Sequence, residues 1–122
     1  MVQLTGDHRF RPHERLRSSR EYARVRKEGK RLRTRHFTIG VVINDLPHHR
    51  LGMVVQKRFW NAVRRNAIKR RLREWFRLNK YDIPTPGRDV VVVARPGAEK
   101  LSPERINSEI LSAMAGRKDL IR

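Results

Sequence analysis

The sequence contains no cysteine, which excludes a disulfide framework and thiolate metal sites. Acidic residues are scarce: 12 Asp plus Glu stand against 30 Lys plus Arg, a formal charge of +18 at pH 7. A nuclease that held its own metal ions would need a carboxylate cluster, and no such cluster is visible. Aromatic residues make up only 7% of the chain, so a base-stacking surface has few residues to draw on. Long apolar stretches are missing too. The longest purely apolar run is Val90–Ala94, far below the ~20 residues of a membrane span. The opening MVQLTGDHRF has no apolar segment of the secretory type. A cytoplasmic location and no membrane partner are therefore expected. There is no Gly-rich phosphate loop, serine nucleophile elbow or zinc-ligand spacing.

What is present is positive charge, unevenly placed. Residues 9–36 hold 12 basic and 3 acidic side chains, and residues 57–80 hold 10 and 1. Self-repulsion on this scale disfavours the compact state, and a polyanionic partner relieves it. Arg outnumbers Lys heavily. Its planar fork suits phosphate and stacks on bases, which favours nucleic acid over an anionic membrane or an acidic protein. The length of 122 residues allows one domain with its own core. Residues 1–14 read as a flexible basic arm.

The element pattern is that of an α+β protein. Ser18 and Glu21 form a capping box, which predicts a helix over Ser19–Glu28 ended by Gly29. Residues 30–36 read as a charged connector. Phe37–Asn44 and Leu51–Gln56 read as two strands, joined as a hairpin through the turn Asp45–Arg50. Asn61 caps a long helix reaching about Asn79, in which Val63, Ile68, Leu72 and Phe76 suggest an apolar stripe. Four consecutive valines within Asp89–Arg95 mark a strand covered on both faces. Ser102-Pro103-Glu104 starts a last helix with Ile106, Ile110 and Met114 on one side and Gly116 as its stop.

The candidate chemistry lies in the basic helix. Arg65, Lys69 and Arg73 step by four beside the apolar stripe, and Asn66, Arg70 and Arg77 form the next line. Such a face reaches several phosphates and releases their counterions. Asn66 either reads a base edge or ribose hydroxyl, or is a tolerated exposed amide. Tyr22 and Phe37 adjoin basic residues and are either stacking platforms or core. Glu74 is explained by ion pairing with neighbouring arginines. His48 and His49 read as a surface turn, and His36 as either a phosphate contact or a solvent-facing residue.

The chain resembles the protein subunit of bacterial ribonuclease P. The resemblance runs from about Phe10 to Ala115. It rests on Arg15-Leu16, Gly29-Lys30-Arg31, Arg35–Phe37, Arg50–Gly52, Val55–Arg58, the motif from Asn61 through Glu74, and Asp89–Pro96, all in order. It implies a two-layer sandwich, a small mixed sheet of about four strands with three helices in the order αβββαβα, of the kind found in a ribosomal protein. It adds a short strand, within Arg31–Arg35, that the residues alone do not reveal.

The resemblance also implies a function: removal of the 5′ leader from precursor tRNA, with hydrolysis and Mg²⁺ belonging to the catalytic RNA subunit. The protein would carry no catalytic residue and no metal site of its own. Arg65, Asn66, Lys69, Arg70 and Arg73 would bind the RNA subunit. Tyr22, Arg26, Phe37, Lys57 and Arg58 would bind the leader, in a cleft between the first helix and the sheet. Three positions depart from the family pattern. Ala67 stands for an arginine, whose contact is either lost or supplied by Arg64 or Arg71. Trp60 stands for a glycine at the entry to the long helix. Arg26 stands for a second aromatic, which favours phosphate contact over stacking. A general RNA-binding protein and a DNA-compacting protein are the other classes that share this charge.

Overall fold

A computed structural model describes residues 9–83 and 85–115, so Gly116 lies outside the described residues. The order is α1 (Ser19–Glu28), β1 (Lys30–Arg33), β2 (Phe37–Ile43), β3 (Arg50–Val54), α2 (Ala62–Asn79), β4 (Arg88–Ala94) and α3 (Pro103–Ala115), with 3₁₀ turns at Pro12–Glu14, Lys80–Asp82 and Ala98–Lys100. This is the αβββαβα order around a mixed four-stranded sheet.

The helix ends follow the local chemistry. The Ser18 hydroxyl accepts from the Glu21 amide at 3.1 Å, and the Glu21 carboxylate accepts from the Ser18 and Arg17 amides at 3.0 and 2.8 Å. Orphan amides at the start of α1 are thereby satisfied. Asn61 caps α2 by accepting from the Arg64 amide at 2.9 Å, and Ser102 caps α3 by accepting from the Arg105 amide at 3.2 Å.

The sheet runs β1-β2-β4-β3, with β1–β2 and β2–β4 antiparallel and β3–β4 parallel. The expected hairpin between β2 and β3 is therefore wrong: β4 lies between them. Its four valines make β4 the strand with most to gain from two neighbours and two covered faces, so it occupies the centre. The connection from β3 to β4 runs through α2, as a parallel pair requires. The connector expected at residues 30–36 contains β1, a basic edge strand whose only inward residue is Leu32. One apolar residue in a run of arginines gives no alternation to read.

Alternating residues of β4 serve different layers. Val90, Val92 and Ala94 join Phe37, Ile39 and Val41 beneath α2 and α3, where Ile68, Leu72, Trp75, Phe76, Ile106, Ile110 and Met114 complete the main core. Val91 and Val93 face α1, with Leu16, Tyr22 and Val25. Val63 is not part of the stripe; it is 78% exposed. Five residues separate it from Ile68, which at about 100° per residue turns it some 140° away. Residues 1–8 of the expected flexible arm lie outside the described residues. Its remainder is pinned: Lys80 Nζ donates to the Glu14 carboxylate at 2.8 and 3.0 Å and to the Arg9 carbonyl at 2.6 Å, with both charged side chains buried.

Candidate nucleic-acid interface

The α1 face of the sheet carries two parallel rows of residues, set by register. One row is Arg31, Gly40, Val91, Gly52; the next is Arg33, Thr38, Val93, Val54. Helix α1 lies on the first row because its two glycines admit it. A Cβ at Gly40 would come within 2.9 Å of Val25, and one at Gly52 within 2.8 Å of the Tyr22 ring. The second row stays uncovered beside the helix. The result is a groove of about 260 Å³ whose lining includes Tyr22, Val25, Arg26, Arg31, Thr38, Val54 and Val93.

Partly buried polar contacts fix this helix. Arg50 donates to both oxygens of Asp89 at 2.8 Å and to Glu21 at 2.8 Å. Asn44 donates to the same Asp89 carboxylate at 2.8 Å. Backbone amides of Ser18 and Arg17, then Arg50, hold the Glu21 carboxyl below its ordinary range, against the opposing effect of burial. The Tyr22 hydroxyl accepts from the Met53 amide at 3.1 Å, which also satisfies a donor on edge strand β3. The motif residues Arg50, Gly52 and Asp89 thus build the seat of α1.

The expected leader-binding residues separate into three places. Tyr22 and Arg26 line the groove, Arg26 being exposed. Lys57 and Arg58 are exposed in the turn after β3. Phe37 is fully buried in the main core. It shares parity with Ile39 and Val41, so it points to the opposite face from the groove and no base can reach it. Its inclusion as a leader contact is corrected. Arg31 and Thr38 were missed. Arg31 is next to buried Leu32 in β1, which puts it on the groove face; because β1 shows no alternation, nothing in the sequence marks it.

On α2, Asn66 and Arg70 are exposed, whereas Arg65, Lys69 and Arg73 are half-buried along the flank. Burial, together with repulsion from Arg15 and Arg70, lowers the pKa of Arg73. Arg15, from the segment preceding α1, therefore joins the α2 cations, a connection no sequence spacing gives. Concentrated like charge of this kind is relieved by an anion. Glu74 is spent on Arg77, whose Nε donates to it at 3.1 Å. Burial lowers the pKa of His49, the largest influence on it; the ring bridges the Ile83 carbonyl and the Arg88 amide at 2.8 and 3.0 Å. His36 contacts Glu109 at 2.9 Å instead of standing in solvent.

The departures also have places. Trp60 is buried, and its indole N–H donates to Glu99 at 2.8 Å; Asn61 still caps α2. Arg71 donates to the carbonyls of Glu99 and Leu101, both at 3.1 Å, so its guanidinium is committed to the fold. Arg64 is exposed beside Ala67. Among the described residues no group of three or more His, Cys, Asp or Glu is placed to hold a metal ion, and no helix is long and apolar enough to cross a membrane.

A family profile described as Ribonuclease P matches residues 10–117. The chain is 60% identical over 119 residues to the ribonuclease P protein component of Syntrophobacter fumaroxidans, covering 98% of this chain and 100% of that one. It is 45% identical over 95 residues to the ribonuclease P protein component of Thermotoga maritima, 78% of each chain. Among solved structures, the RNase P protein of Staphylococcus aureus superposes with a TM-score of 0.77 at 30% identity, over 89% of this chain and 98% of that one. That of Thermotoga maritima gives 0.73 at 37% identity, over 81% and 93%.

Proposed function

This chain belongs to the ribonuclease P protein family, a protein subunit acting in tRNA processing, and from that premise we propose that it serves two RNAs with two surfaces. The cations of α2, with Arg65, Asn66, Lys69, Arg70 and Arg73 at their centre, bind the catalytic RNA. The groove beside α1 grips the single-stranded 5′ leader of precursor tRNA. The observation that carries the reading is this groove. Its floor of Thr38, Val54, Val91 and Val93 is mostly apolar, and its rim holds Arg26 and Arg31. A single strand suits such a site: bases pack on the floor and phosphates meet the guanidinium groups. Tyr22 supplies a ring on one wall.

The family resemblance assigns hydrolysis and the Mg²⁺ ions to the RNA subunit. The protein's part is binding and charge. Cations near the scissile bond lower the Mg²⁺ needed, and the groove favours leader-bearing substrate because mature tRNA lacks the gripped segment. The setting is the cytoplasm. The test is cleavage of a precursor tRNA at low Mg²⁺ with cognate catalytic RNA alone, protein alone, and both. Cleavage at the mature 5′ end only with both is expected. Equal cleavage with and without protein, despite tight RNA binding, would replace this reading with general RNA binding.

A further inference from the structure

The turn between β3 and α2 presents an aromatic ring to water. Phe59 is 40% exposed. The Arg58 guanidinium lies 4.6 Å from its centroid, and Arg58 Nε donates to Gln56 at 3.1 Å, which fixes the cation over the ring. The buried Trp60 meets the ring edge-on at 5.6 Å and 69°. Phe59 is therefore held firmly by its neighbours while much of its surface faces solvent. Its position relative to the groove is set by the chain. Val54 ends β3 and lines the groove; the chain then turns, the Phe59 amide donating to the Gln56 carbonyl at 3.3 Å, and five residues keep Phe59 within roughly 17 Å of Val54. No acidic residue lies between Val55 and Asn61, whereas Lys57 and Arg58 are both exposed.

We propose that Phe59 is a stacking platform for one unpaired base of the leader, in the turn that follows β3 beyond the groove. This rests on the leader-binding reading above. A π face accepts any base, and Arg58 on the ring adds a cation for the flanking phosphate. The ring is pre-positioned, so little side-chain freedom is lost on binding.

The test uses protein reconstituted with its cognate catalytic RNA. Binding is measured for mature tRNA and for precursor tRNAs carrying a single abasic site at successive leader positions. Phe59→Ala is expected to weaken precursor binding by about fivefold or more and to leave mature tRNA unchanged. Phe59→Leu, which keeps apolar packing on Arg58 and Trp60, is expected to lose as much; Phe59→Tyr is expected to retain affinity. One abasic position should cost the wild type a similar factor and cost Phe59→Ala nothing more. The proposal is overturned if Phe59→Ala binds like wild type, if it weakens mature tRNA equally, or if every abasic site weakens both proteins alike. A wild type that does not distinguish precursor from mature tRNA overturns the leader reading itself, a result separate from these.

Discussion

Phe37 and His49 show how one side chain's surroundings decide its role. Phe37 stands among arginines in the sequence, yet the strand alternation sends it into the core. Phe37→Ala should therefore cost about 3–5 kcal/mol of folding stability, measured by urea unfolding, while the folded fraction keeps its leader affinity. A stable variant with weakened leader binding would return Phe37 to the groove. His49 was read as part of a surface turn, but both its ring nitrogens are engaged inside the fold. Burial favours the neutral ring, so the folded chain takes up the proton only below the ordinary value of 6.5. The unfolded chain binds it at 6.5. Stability is therefore full above that pH and declines as pH falls below it. Glu21 is lowered from 4.5, so its contribution is present above 4.5 and is lost further into acid. Thermal unfolding between pH 7.5 and 5.5 should show a downward slope in the wild type that His49→Gln flattens. Equal slopes in the two proteins would remove His49 from this account.

At the scale of elements, α2 does two jobs on one cylinder. Its inner stripe packs on the sheet and its remainder is cationic. Arg65→Ala should weaken binding of the catalytic RNA and reduce the slope of log affinity against log salt by about one. Filter binding across salt concentrations measures this, and an unchanged slope would sink the assignment. Val63→Ser, on the exposed side, should change stability by less than about 0.5 kcal/mol, as followed by thermal melting. What the sequence made legible is of this local kind: the capping box at Ser18, the Asn61 cap, the Ser102-Pro103 start and the valine run of β4. Pairing was not legible, because β2 and β3 show nothing locally that tells of β4 inserting between them. The groove was only partly legible. Tyr22 could be singled out beside basic neighbours and Arg26 came from the family resemblance alone, but Thr38 and the glycine seat of α1 exist only through register across three strands. Arg15 joins the α2 cations through the fold alone.

At the scale of the molecule, the charge of +18 acts on folding and on binding with opposite signs. In the free protein the two basic segments repel one another and themselves, and few acids offset them. Added salt screens this over a Debye length of about 10 Å at 0.1 M and about 3 Å at 1 M. Binding to RNA is strengthened by counterion release, and added salt removes that gain. Raising NaCl from about 50 to about 500 mM should therefore increase the Tm of the free protein while it lowers affinity for the catalytic RNA. Scanning calorimetry and filter binding on the same preparation measure the two trends. If both fall together, surface ion pairs such as Glu74–Arg77 contribute more to the fold than the repulsion among the arginines costs it. If they diverge, the free protein is held below its attainable stability by the charge that its RNA partner neutralises. A short RNA bound to the protein should then raise its Tm at low salt more than at high salt, because the same phosphates relieve a larger repulsion.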